Sequence, residues 1–117
     1  MSVISELAST PGVIAAGEYT YRGDRFSYEG QMDSETARMA SIMCRATTMA
    51  VHMETGMLKT LHADCGCSPA RGWVVKGEQF TVCVMANVFC FLGPEASLNE
   101  VMAYMREHVD EPEDMLV

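Results

Sequence analysis

His62-Ala63-Asp64-Cys65-Gly66-Cys67 is the one segment of this chain whose residue types and spacing suit chemistry. Two cysteines separated by a single glycine are too close for a relaxed disulfide, and they are not the C-x-x-C of thioredoxin-like proteins. Three readings of the pair stand side by side. In the first, Cys65 and Cys67 bind a soft metal with His62 or Asp64, or two copies of the loop meet across a dimer axis and offer four thiolates to Zn²⁺. In the second, they are redox-active or persulfide-carrying thiols. In the third, they are small, weakly polar side chains on either side of a glycine turn. The spacing lacks the second ligand pair by which zinc sites are recognised, so one chain cannot close a Cys₄ site with this loop. The plain loop is the favoured reading. Cys65 and Cys67 stand as candidate thiols, and no metal or cofactor is expected.

The remaining polar residues assemble into nothing catalytic. Cys44, Cys83 and Cys90 fall inside periodic elements and read as core residues. His52 and His108 read as solvated or capping side chains. No pair of carboxylates is fixed on one face, and no Ser–His–Asp combination has a supporting context such as G-x-S-x-G. A G-x-x-x-x-G-K-[ST] loop is absent from the sequence, so no nucleotide site is expected. The chain is not expected to be an enzyme.

Composition narrows the partners. The chain has 117 residues, enough for one core, and 49% of them are hydrophobic. Its formal charge of −8 sets 16 acids against 8 bases. The lysines are Lys59 and Lys76 alone, and the arginines are spread along the chain, so no basic stripe is available for phosphodiester contacts and nucleic-acid binding is not expected. No apolar run approaches the roughly 20 residues of a membrane span. The N-terminal MSVISELAST carries an acid where a secretory signal carries basic residues. The expectation is a cytoplasmic protein with free thiols. Residues 1–109 read as one domain, and residues 110–117 as an acidic flexible tail.

The elements that position these residues follow from periodicity. Ser2–Ser9 reads as a short helix stopped by Pro11 and Gly12. Val13–Tyr21 and Arg25–Glu29 read as a hairpin turning at Arg22-Gly23-Asp24, with Gly17 marking a bulge or a close backbone approach. Asp33 is a good N-cap for a long helix from Ser34 to about Thr55, where Gly56 offers a stop. Met57–Ala70 is irregular. Gly72–Lys76, Gln79–Met85 and Val88–Leu92 read as three consecutive strands, the last two buried on both faces. Ser97 and Glu100 form a capping box for a final helix over Ser97–Val109.

Eleven methionines are the oddity of the composition. Met39, Met43, Ala46, Ala50, Met53 and Met57 recur along one face of the long helix, widened by Ile42 and Met49. That band exceeds what one small sheet needs to cover, so a second surface is expected to shield it, most simply a copy of itself. Met39, Met43, Met49, Met53 and Met57 are therefore the expected self-association surface and partner groove. Trp73, at the start of an apolar strand, is counted with them in the expected dimer or partner interface, and its ring reads as a packing residue and not as a platform for a ligand.

The order helix–strand–strand–helix–strand–strand–strand–helix specifies an α/β (α+β) sandwich with a five-stranded, mostly antiparallel sheet. This order resembles the roadblock family of dynein-light-chain-like domains. The matching pieces are Leu7-x-x-x-Pro11-Gly12-Val13, the long second helix, the segment Trp73 to Leu92, and Gly93-Pro94-Glu95-Ala96-Ser97-Leu98. The resemblance covers about residues 2–109. It is strongest to an uncharacterised prokaryotic branch, some members of which accompany sulfur-oxidation proteins related to heterodisulfide reductase. It implies a homodimer with the long helices side by side on one sheet face and the middle strands paired across the two-fold axis. It also implies an adaptor or regulatory role toward a small Ras-like GTPase or a multi-subunit complex. The alternative is an accessory thiol or metal-binding protein of sulfur metabolism that uses Cys65 and Cys67.

Overall fold

Three short polar side chains open the three helices of the computed structural model, which describes residues 2–64, 66 and 68–109. Ser2 Oγ accepts from Ser5 N at 3.1 Å, Asp33 Oδ1 from Thr36 N at 2.7 Å, and Ser97 Oγ from Glu100 N at 3.3 Å. Each bond satisfies a backbone donor that a helix N-terminus leaves without a partner. The helices are α1 (Val3–Ala8), α2 (Ser34–Leu61) and α3 (Leu98–His108). None of them is long and apolar enough to cross a membrane.

Between the helices lie β1 (Val13–Tyr19), β2 (Phe26–Gly30), β3 (Gly72–Lys76), β4 (Thr81–Met85) and β5 (Val88–Leu92). They form one antiparallel sheet in the order β2-β1-β5-β4-β3, so the first hairpin and the later three-stranded meander join where β5 lies beside β1. This is the expected α+β sandwich. Cys83, Met85, Val88, Cys90 and Leu92 point to the side of α1 and α3, where Leu7, Val101 and Met105 pack on them. Val82, Val84 and Phe89 point to the other side, where Ala40 and Cys44 of α2 meet them. All five residues of β4 are buried, as a strand covered on both faces requires.

The boundaries differ from expectation at instructive places. Gly56 does not stop α2, which continues to Leu61 and ends where His62 N donates to Leu58 O at 2.8 Å. The irregular segment therefore begins at His62 and not at Met57. Gly17 marks no bulge; the register shift lies between Val13 and Ala15. A Cβ at Gly17 would sit 2.4 Å from the Phe89 ring, so its hydrogen is what lets that ring lie across the strand. Gly23 takes φ +79° in the hairpin turn, as a Gly in that turn predicts. β1 ends at Tyr19, β2 runs one residue later than expected, and β4 starts at Thr81, which leaves Phe80 outside the strand. The Cys65–Cys67 thiols and the acidic tail lie outside the described residues.

Candidate functional site

The 28 residues of α2 give a helix of about 42 Å at ~1.5 Å per residue. That matches the longest dimension of the molecule, 41 Å. The side of α2 that meets the sheet is a row of small residues: Ala37, Ala40, Ser41, Cys44 and Thr48. Small side chains at this helical spacing let the helix axis approach the sheet closely and leave the bulky residues to point away. Beyond Thr48 no residue of α2 is fully buried; Val51, His52, Thr55 and Gly56 are half-buried, and Met57–Leu61 are exposed.

The methionines lie on the far side. Met39, Met43, Met49, Met53 and Met57, together with Ile42, Leu58 and Leu61, are between 48% and 82% exposed in the single protomer. Leu61 extends the row from Met57 by one further i+4 step. Reading Gly56 as a helix stop hid both Leu58 and Leu61 from sequence reasoning. On the sheet, Val75 (57% exposed) and Phe80 (48% exposed) add to the apolar surface. Val75 pairs with Val82, and Phe80 stacks on Phe91 with ring centroids 5.9 Å apart, so both lie on the α2 side of the sheet. Phe80 had been expected to share the buried face of β4. The β4 strand starts too late to carry it, and its ring caps the end of the sheet instead. The alternation of Val75 with Trp73 was the available signal for Val75.

Trp73 fastens the edge strand β3 to α2. Its indole Nε1 donates to Thr48 Oγ1 at 2.8 Å, and the Tyr19 hydroxyl bonds the same oxygen at 3.1 Å. Trp73 is half-buried against the cluster containing Tyr19, Ala40 and Cys44, so its ring is engaged by its own protomer, as a packing residue would be. β3 has no neighbour on its outer side among the described strands.

The other sequence candidates separate clearly. Cys44, Cys83 and Cys90 are buried core thiols. Burial pushes Cys44 up to about 12. Cys90 lies directly across from Cys83 in the β4–β5 ladder, and the hydrogen bond between the two thiols, with burial, raises Cys90 as well. His108 Nδ1 lies 2.9 Å from Tyr104 O in the last turn of α3, with its ring stacked on Tyr104. His62 is the C-cap residue of α2. Among the described residues no three of His, Cys, Asp and Glu come together as a metal cluster.

A five-stranded antiparallel sheet with one long helix on one face and two shorter helices on the other defines a Roadblock/LC7-like α+β protein. The crystal structure of a Roadblock/LC7 domain from Streptomyces avermitilis matches it with a TM-score of 0.65, covering 89% of this chain and 86% of that one at 17% sequence identity. By sequence the chain belongs to the family described as "uncharacterized conserved protein (DUF2173)", whose model matches residues 3–107. No curated protein matches it.

Proposed function

We propose that the chain is a non-enzymatic, homodimeric adaptor or regulatory subunit whose α2 face binds first a second copy and then a protein partner. One observation carries the reading: eight large apolar side chains on α2, with Val75 and Phe80 beside them, stand exposed on the α2 side of a well-packed protomer. Covering a Leu- or Met-sized side chain is worth roughly 1.5–3 kcal/mol when complete. A surface of that kind marks an interaction site. Two copies of α2 side by side would shield each other's methionines, and the overhanging half of each would cover Val75 and Phe80 of the other. The roadblock fold, commonly that of regulatory adaptor domains, fits this use.

The mechanism is mass action. A two-fold apolar surface binds one conformation of its partner more tightly than another and shifts the partner's population. Methionine suits such a groove, because its flexible thioether adapts to more than one contact shape. The partner class is a small GTPase or a subunit of a multi-subunit complex, with a sulfur-oxidation complex as the second setting. The cytoplasm is the proposed compartment. Size-exclusion chromatography with light scattering tests the core of the reading. The expected particle has twice the 12.9 kDa chain mass at micromolar concentration, and a stable monomer would overturn it. Affinity capture from native lysate then separates the partner classes, a GTPase supporting one and flavin or iron–sulfur subunits the other.

A further inference from the structure

Three arginines converge where the acidic composition predicts none should. A cavity of about 220 Å³ lies between the β1–β2 turn and the first half of α2, lined by Arg25, Arg38 and Arg45 with a single acid, Asp24. Phe26 and Ile42 supply its apolar wall. In a chain of net charge −8, half of the six arginines line one small cleft.

Their engagements differ in a useful way. Arg38 is committed to Glu35, with Nη2 2.6 Å from Oε1. Arg45 is held from behind: its Nε donates to Tyr21 O at 2.8 Å, and the turn at Gly23 closes over it, where a Cβ would come within 3.1 Å of the guanidinium carbon. The Nη groups of Arg45 make no hydrogen bond among the described residues, and neither does the guanidinium of Arg25. Asp24 accepts from Thr20 Oγ1 at 2.6 Å, and that bond with the nearby Arg25 and Arg22 holds its carboxyl below the usual value, so it offsets part of the cleft's positive charge and leaves the lining positive in sum.

We propose that this cleft binds a small oxyanion, the phosphate or carboxylate end of a ligand carrying a short apolar body. A guanidinium fixed by its Nε presents its remaining donors in a preset fork, the geometry that suits bidentate oxyanion binding. Arg25, exposed at the rim of the cleft, supplies the second guanidinium. The volume, below the 300–1,000 Å³ typical of drug-sized ligands, suits a small anion, and a second cavity of about 400 Å³ that shares Tyr19, Arg25 and Phe26 leaves room for the apolar body. Phe26 gives the apolar body a ring to lie against. The site adjoins the methionine face through Ile42 but does not depend on self-association.

Calorimetric titration and thermal-shift measurements on the whole protein test it, with inorganic phosphate, phenyl phosphate and benzoate as probes and sodium chloride at matched ionic strength as control. Saturable binding is expected, with phenyl phosphate tighter than phosphate; a stronger response to benzoate than to phenyl phosphate would assign the carboxylate source. Arg25→Gln, on an exposed position, is expected to weaken binding about tenfold or more without changing the fold. Arg45→Gln is expected to abolish binding, and Arg45→Lys to restore part of it. The proposal is overturned if none of the probes gives a saturable signal above the salt control, or if Arg25→Gln and Arg45→Gln bind as the parent does.

Discussion

Trp73 Nε1 and Thr48 Oγ1 meet at 2.8 Å, and through that bond the outermost strand of the sheet is tied to the midpoint of the long helix. Tyr19, on β1, bonds the same hydroxyl, so three elements distant in sequence share one side-chain oxygen. Thr48→Val keeps the shape and removes the acceptor. The expected cost is about 1 kcal/mol, the usual net worth of such a bond, since Tyr19 keeps a second acceptor in Ala86 O. Trp73 is the only tryptophan, so its emission reports directly; a red shift in the native state is expected, and an unchanged spectrum and stability would remove Thr48 from this role.

Met43 and Met53 lie on the outer side of α2, 57% and 71% exposed in the protomer. Replacing both by Asp introduces charge where self-association is proposed and touches no buried residue. The double variant is expected to run as a folded monomer with far-ultraviolet dichroism unchanged. A dimer that survived the two charges would move the interface off this face.

Two glycines are expected to respond oppositely to alanine. Gly56 sits inside α2 with open space where its Cβ would go, so Gly56→Ala should stabilise by about 0.5–1 kcal/mol through helix propensity. Gly17→Ala places a methyl 2.4 Å from the Phe89 ring and 2.7 Å from Ser27 O, and overpacking of this kind costs about 1–3 kcal/mol or more. Chemical denaturation of the two variants measures both signs, and equal effects would contradict the geometry.

Asp33 is held below its ordinary carboxyl value of 3.8 by the hydrogen bonds it accepts from Thr36. A folded-state value below the unfolded one means the cap's contribution is present above 3.8 and is lost as pH falls through the lowered value. Asp33→Asn still caps but does not titrate there. The difference in stability between parent and variant should therefore narrow or invert on going from about pH 5 to about pH 2. A constant difference across that range would show that Asp33 does not titrate differently on folding.

Thiol chemistry tests the placement of the three core cysteines. Burial pushes Cys44 up to about 12, the Cys83 hydrogen bond and burial raise Cys90, and the same bond lowers Cys83; all three side chains are shut off from solvent, so iodoacetamide at mildly alkaline pH should leave them unmodified until denaturant is added. Peptide mapping that found any of the three alkylated in native protein would contradict their placement.

The sheet, its strand faces and all three helices were legible because each rests on a local pattern: short runs of β-branched and aromatic residues bounded by turn residues in β4 and β5, and cap residues at Asp33 and Ser97. Gly56 was misread because a glycine stops a helix only where the chain can turn to positive φ and find new partners; here the helix simply continues. Phe80 was misplaced because an unbroken apolar run does not say where a strand begins. The arginine cleft was invisible for a different reason. Arg25 and Arg45 stand twenty residues apart, and only the fold of the first hairpin back onto α2 brings them together.

The row of small residues on α2 ends at Thr48, and that ending has a consequence for the rest of the helix. From Met49 onward the helix has only the half-buried Val51, His52, Thr55 and Gly56 to hold it, its last residues Met57–Leu61 are exposed throughout, and a helix end with so little tertiary packing is marginal in water. Those last turns are therefore the part of α2 whose order would gain most from any surface laid against them, and their amides are expected to exchange faster than those of the first half of the helix.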